Sequence, residues 1–281
     1  MSSICIRFPD GKAKALTLSY DDGVEQDKQL LRILQKYDLK CTFNLNAGCF
    51  APSGTTYSPG TIHRRMTEEE AVAFYKTSGM EIATHGYTHP FLEQLPVNLC
   101  NREIYLDRSR LEELFHTFVR GHAYPFGTYN QQVMNLLKAN GIVYARTVNS
   151  THELWFQQNQ DFLKWDPTCH HNDALLPDLT ERFLSKMPEH APFLFYLWGH
   201  SYEFEQNDNW NVIESFAQKV SHRKDIWYAT NIEIVNYVAN YRRLVFSNDA
   251  SFVYNPTGQT LYFSTLKKIF CIHPNETLSI C

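Results

Sequence analysis

Residues Ala15-Leu16-Thr17-Leu18-Ser19-Tyr20-Asp21-Asp22-Gly23 read as a strand that stops on two carboxylates and a glycine. Leu30, Leu31, Ile33 and Leu34 then fall at helical spacing, and Cys41-Thr42-Phe43-Asn44-Leu45 reads as a second strand. Strand, crossover helix, strand is the βα signature. It recurs along the chain. Thr67, with Glu70 three residues on, marks a helix N-terminus; Gly79 closes that helix, and residues 80–84 form the next strand. Helices are expected over 101–118, 130–139, 179–187, 210–220 and 232–241. Strands are expected over 123–124, 142–145, 192–198 and 226–229.

Near-continuous apolar strands between helices imply a parallel sheet covered on both faces. Seven or so such units fit an α/β fold closed into a distorted (β/α) barrel, and an open doubly wound sheet is the structural rival. After Arg243 the texture changes. Short pieces around Val245, Phe252, Leu261, Phe270 and Leu278 alternate with turn-formers such as Asn255-Pro256-Thr257-Gly258. We expect two parts: residues 1–243 as the barrel and 244–281 as a small antiparallel β appendage. The appendage is open to three roles: covering a barrel face, binding, or dimerisation.

Composition narrows the function class. With 281 residues, 43% of them hydrophobic, the chain has enough apolar matter for a substantial core. A formal net charge of -4 and isolated Arg pairs exclude an electrostatic footprint for nucleic acid. The opening residues MSSICIRFPD show no charged-then-apolar leader, and no stretch is long and apolar enough for a membrane span. Seven cysteines, an odd number without a CxxC pair, suggest reduced thiols and a cytoplasmic location.

Three segments follow expected strand ends: Asp21-Asp22-Gly23, His85-Gly86-Tyr87-Thr88-His89 and Trp198-Gly199-His200. In parallel α/β folds such loops converge on one face, where ligands bind. Two imidazoles and a carboxylate form a common zinc set with one position open for water. His85 and His89, four residues apart, can reach one ion if the loop makes about one helical turn, and Asp22 completes the set. The adjacent Asp21 is then free to act as general base. His200 is expected as general acid, because imidazolium titrates near neutral pH. Asp166, between Trp165 and Pro167, is the candidate to hold that ring. Tyr124, Trp165 and Trp198 are either platforms for sugar rings or core side chains.

On these segments the chain resembles the polysaccharide deacetylase family, the NodB-homology or carbohydrate esterase family 4 group. Ser19-Tyr20-Asp21-Asp22-Gly23 is similar to its first motif, which implies Asp21 as base and Asp22 as metal ligand. His85-Gly86-Tyr87-Thr88-His89 is similar to the second, which implies both histidines as ligands; Gly86 replaces the usual hydroxyl residue. Ala123-Tyr124-Pro125-Phe126-Gly127 aligns with the third. There the family's Arg, which orients the base, is replaced by Ala123, and Arg120 is the nearest substitute. Phe126 implies an oxyanion contact through its backbone N–H. Trp165-Asp166 loosely matches the fourth motif, and Leu197-Trp198-Gly199-His200 closely matches the fifth, which supplies the acid. The resemblance spans roughly residues 13–241 and implies a distorted, often seven-stranded barrel.

The resulting expectation is a metal-dependent hydrolase that removes an N-acetyl group from a carbohydrate. It would hold one divalent ion, zinc first, with cobalt, nickel, manganese and iron also permitted by the ligand set. A cytoplasmic place suits a small N-acetylated sugar better than a wall polymer. A small-molecule amidohydrolase is the rival enzyme reading. A carbohydrate-binding protein that has lost turnover is the rival favoured by Ala123. Homo-oligomerisation stays open.

Overall fold

The computed structural model describes residues 4–188, 190–265 and 268–280. The outermost residues of both expected parts, 1–3 and 281, lie outside it. Strand β1 (Cys5–Arg7) precedes β2 (Lys14–Asp21), α1 (Asp27–Lys36) and β3 (Thr42–Leu45). Then come α2 (Glu68–Tyr75), β4 (Glu81–Thr84), α3 (Val97–Phe115) and β5 (Gly121–Ala123). They are followed by α4 (Gln131–Ala139), β6 (Tyr144–Arg146), β7 (Cys169–His170), α5 (Leu176–Ser185) and β8 (Phe193–Gly199). Short α6 (Tyr202–Gln206), α7 (Trp210–Val220), β9 (Ile226–Tyr228) and α8 (Asn231–Tyr241) complete the βα region. The expected capping box is present: the Thr67 side chain accepts from Glu70 N while Glu70 returns to the Thr67 N–H.

The strands are parallel and run in the order β6-β5-β4-β3-β2-β8-β7, with β9 beside the first half of β2. The sheet curls, and Trp165, just before β7, pairs with Arg146 at the end of β6. The ring is therefore joined by a single bridge where a full strand would otherwise stand. This is the distorted barrel of the sequence reading.

Along β2, outward Leu16, Leu18 and Tyr20 join the core beneath the helices. The alternate residues make a polar interior in place of the two apolar faces expected. Thr17 donates to Asn231, Asn44 donates to Ser19, and Asn231 donates to the Tyr196 hydroxyl. Glu81 accepts from Thr42, Tyr144 and the Ile232 N–H at the start of α8. A helix N-terminus thus plugs the lower end, where its free N–H groups meet a carboxyl group. Burial pushes the Glu81 carboxyl up to about 6.

The tail holds β10 (Val245–Phe246), β11 (Phe252–Tyr254), β12 (Leu261–Ser264), β13 (Ile269–Ile272) and β14 (Thr277–Ser279). They form two antiparallel sheets, β10-β11-β14 and β1-β12-β13. The second takes in β1, a strand whose partner lies far along the chain and which local sequence does not announce. Val253, Leu261, Phe263, Phe270 and Ile272 pack with α8 residues Ile234 and Val238 in one core. The Phe263 ring stacks on Phe270 with centroids 5.0 Å apart. Phe263→Ala is expected to cost about 3–5 kcal/mol, as truncation of a fully buried aromatic does. Urea unfolding measures this, and a change near zero would mean that the tail packs loosely.

Candidate active site

The C-terminal ends of β2, β4, β5, β6 and β8 meet on one face. A 380 Å³ cavity opens there, lined by Asp21, Asp22, His85, His89, Tyr124, Phe126, Trp198 and His200. Three of these residues, Asp22 (φ 85°), His89 (φ 58°) and Phe126 (φ 57°), sit in the left-handed region. Non-glycine residues reach it at a cost that the surroundings must offset. Gly86 also has positive φ, at 75°, which accounts for a glycine where the resembling motif has a hydroxyl residue.

Asp22 is held by a loop that carries no periodic signal in the sequence. Arg65 Nη2 donates to Asp22 Oδ1 at 2.8 Å, and Nη1 donates to the Asp22 carbonyl and to Asn46 Oδ1. His63 Nε2 lies 3.1 Å from Asp22 Oδ2. Burial pushes the Asp22 carboxyl up, but the His63 hydrogen bond and the Arg65 charge outweigh it, and the net shift is well down.

His85 is fully buried and its orientation is fixed. Its Nδ1 lies 2.8 Å from the Ala123 carbonyl, an acceptor, so Nδ1 carries the proton and Nε2 presents a lone pair. Asp107 Oδ2 accepts from the His85 N–H at 2.9 Å. His89 Nε2 stands 3.1 Å from His85 Nε2. Two nitrogens bonded at about 2.1 Å to one tetrahedral ion would stand about 3.4 Å apart, within a few tenths of an ångström of this spacing. Ligand atoms of Asp22, His85 and His89 all lie within 4.8 Å of one another. The residues therefore fit a divalent ion. The loop brings the two rings together without a full helical turn; the His89 N–H returns to the Gly86 carbonyl. Burial lowers the pKa of both rings, His85 to about 4.

Asp21 is 1% exposed. Asn44 Nδ2 donates to its Oδ1 at 2.7 Å, and Arg146 Nη2 donates to its Oδ2. Nε2 of His85 and of His200 are each 3.8 Å from that Oδ2. Burial pushes the carboxyl up, yet Arg146 and the two imidazoles bring it below its ordinary value. The arginine at this carboxylate is Arg146, not Arg120. Arg120 precedes β5 at the far end of the barrel, where it donates to Asn236. The sequence does carry a signal for Arg146: a lone cation ends the apolar run 142–145.

His200 is likewise partnered by a different carboxylate from the one expected. Glu203, in the first turn of α6, places Oε1 3.3 Å from His200 Nδ1. Its Oε2 lies 3.0 Å from His170 Nε2 and 3.1 Å from His171 Nε2. Burial lowers the His200 pKa, but Glu203, Asp21 and Asp22 reverse this, and the net shift is up. Asp166 follows the Trp165 bridge and turns its carboxyl to Thr147 and Asn149. A carboxylate three residues beyond His200 is legible as an i, i+3 pair on a helix start.

The aromatic residues divide. Tyr124 and Trp165 are core: the Tyr124 ring stacks on Tyr129 and its hydroxyl donates to the Leu163 carbonyl. Trp198 is mostly buried but borders the cavity. The open platform is Phe126, half exposed and stacked on Phe91 at 3.9 Å.

Residues 9–145 match the family described as polysaccharide deacetylase. A polysaccharide deacetylase structure from Mycobacterium smegmatis superposes with a TM-score of 0.59 at 16% identity, over 86% of this chain and 96% of the other. Puue allantoinase superposes at 0.58 with 13% identity, over 82% and 91%. The deacetylase PplD of Streptococcus pyogenes is 23% identical at a TM-score of 0.41; the match covers 47% of this chain and only 55% of that one. Comparison with curated protein sequences finds no match.

Gly199 leads into His200 because nothing larger fits: a Cβ there would lie 2.0 Å from His171 Nδ1. Gly199→Ala is expected to destabilise the fold by about 1–3 kcal/mol, as overpacking does. Thermal unfolding checks this, and an unchanged midpoint would show that His171 is not fixed.

Proposed function

We propose that the chain, whose residues 9–145 match the polysaccharide deacetylase family, hydrolyses an N-acetyl group on a carbohydrate, with Asp22, His85 and His89 holding one divalent ion. The observation that carries this reading is the pair of Nε2 atoms 3.1 Å apart, beside two buried carboxylates and a third imidazole. Such an ion acidifies a water and polarises the acyl carbonyl. Zinc suits the donor set first, with cobalt, nickel, manganese and iron as alternatives.

The protein's own groups do the rest. Asp21, kept ionised by Arg146, takes the proton from the attacking water. The Phe126 N–H is assigned to the oxyanion. His200 gives a proton to the amine nitrogen as the carbon–nitrogen bond breaks, and Glu203 holds its ring. The Phe91–Phe126 stack offers an apolar face to a sugar ring. A cytoplasmic place, suggested by the odd cysteine count, would suit a small soluble substrate. The second reading, hydrolysis of a small non-sugar amide, draws on the likeness to allantoinase.

Two outcomes are expected. The zinc-loaded protein releases acetate from N-acetylated hexosamines or their short oligomers, chelation abolishes release, and His85→Ala/His89→Ala purifies without the ion. Ring opening of cyclic ureides, read as acid release, with no acetate from any sugar would transfer the assignment to the second reading. The other outcome concerns pH. Glu203 raises the His200 pKa, and an acid works only while protonated, so activity falls as pH rises through that pKa. Glu203→Gln should move the alkaline limb of kcat/KM to lower pH. Above the limb, activity should drop about tenfold for every pH unit by which the limb moves. An unmoved limb would remove Glu203 from the acid's support.

A further inference from the structure

The register between β5 and β6 pairs Gly121 with Tyr144 and Ala123 with Arg146. Both β5 members are small and both β6 members are large. In a parallel ladder, registered neighbours turn to the same face. The two β6 side chains occupy space that β5 leaves free: a Cβ on Gly121 would lie 2.1 Å from the Tyr144 hydroxyl oxygen. Tyr144 crosses β5 in this way to reach Glu81 on β4. One rung higher, Arg146 crosses the interior to Asp21 on β2.

Arg146 is fully buried and, among the described residues, has one anionic partner, Asp21. A guanidinium this far from water is tolerated only when paired. Its other contacts fix its path: Nη1 donates to the Thr147 carbonyl at 3.1 Å, and the guanidinium lies 4.3 Å over the Trp198 ring. It does not line the cavity. We propose that Arg146 is the positioning residue of Asp21, and that position 123 is an equivalent place from which an arginine can do the same work. The size inversion between β5 and β6 is what makes the exchange feasible. An arginine on 123 would start one strand away on the same face, in the volume that Arg146 vacates. The inference rests on the reading of Asp21 as the base.

The test is a relocation. In zinc-loaded protein, Arg146→Ala should lower kcat for acetate release by about 10²-fold with KM nearly unchanged, the scale of losing one fixed electrostatic partner. Arg146→Lys should recover only part, because a point charge cannot reproduce the planar fork. The combined Ala123→Arg/Arg146→Ala protein should regain kcat to within about tenfold of the wild type. A second readout needs no substrate: a double-mutant cycle of Asp21→Asn and Arg146→Met, followed by urea unfolding. The paired loss should be at least tenfold less in unfolding equilibrium than the product of the two single losses. A strictly additive cycle overturns the pairing, as does a relocated protein with a wild-type unfolding midpoint and no recovery of kcat. If the wild type releases no acetate, the deacetylase reading fails, and the cycle still decides whether Arg146 positions Asp21.

Discussion

Two carboxylates at consecutive positions, both more than nine-tenths removed from water, set the terms for everything around them. Uncompensated, such a pair would stay protonated or unfold the site. Each instead has its own basic partners from different parts of the chain. Asp21 looks inward to Arg146 from β6 and sideways to His85 and His200. Asp22 looks outward to Arg65 and His63 on the loop after β3. The split falls at the strand end: Asp21 is the last residue of β2, and Asp22 lies beyond it with left-handed backbone. One carboxylate is built into a rigid interior and keeps its charge. The other faces the position that His85 and His89 also border.

The barrel interior serves the same end. Its polar column runs from the α8 N-terminus through Glu81, Thr42, Asn231, Tyr196, Ser19 and Asn44 to Asp21. Ser19 also acts on the Tyr196 hydroxyl, lowering its pKa against the effect of burial. A column of this kind, with most of its polar atoms paired, resists movement. Buried Asp27 does comparable work outside the ring. It accepts from Tyr75 and Ser201, tying the start of α1 to the residue after His200, and burial pushes its carboxyl up to about 7. The groups that meet at the cavity therefore rest on strand ends and short turns braced from behind.

Much of this is legible in the sequence, for local reasons. Helix starts at Thr67 and Asn130 carry side chains that bond their own backbone, and the apolar run to Trp198 admits only a buried strand. Asp21, Asp22, His85, His89 and His200 fall to one face because strand ends converge. What is not legible depends on the third dimension. Arg146 belongs to Asp21 through register with Ala123, which no local pattern encodes. Arg65 and His63 reach Asp22 from a loop without periodicity. Asp166 beside Trp165 looks like a partner for His200, but the bridge to Arg146 turns it away. β1 pairs with a strand more than two hundred residues later, a contact that only the closed tertiary structure creates.

The measurement that bears most directly on the account is anomalous diffraction from crystals grown with zinc, collected on both sides of the zinc edge. The account requires one strong peak at bonding distance from His85 Nε2, His89 Nε2 and an Asp22 oxygen, with Asp21 still on Arg146 and unbound to the ion. A peak elsewhere, or none while Arg65 and His63 keep both Asp22 oxygens, would contradict it.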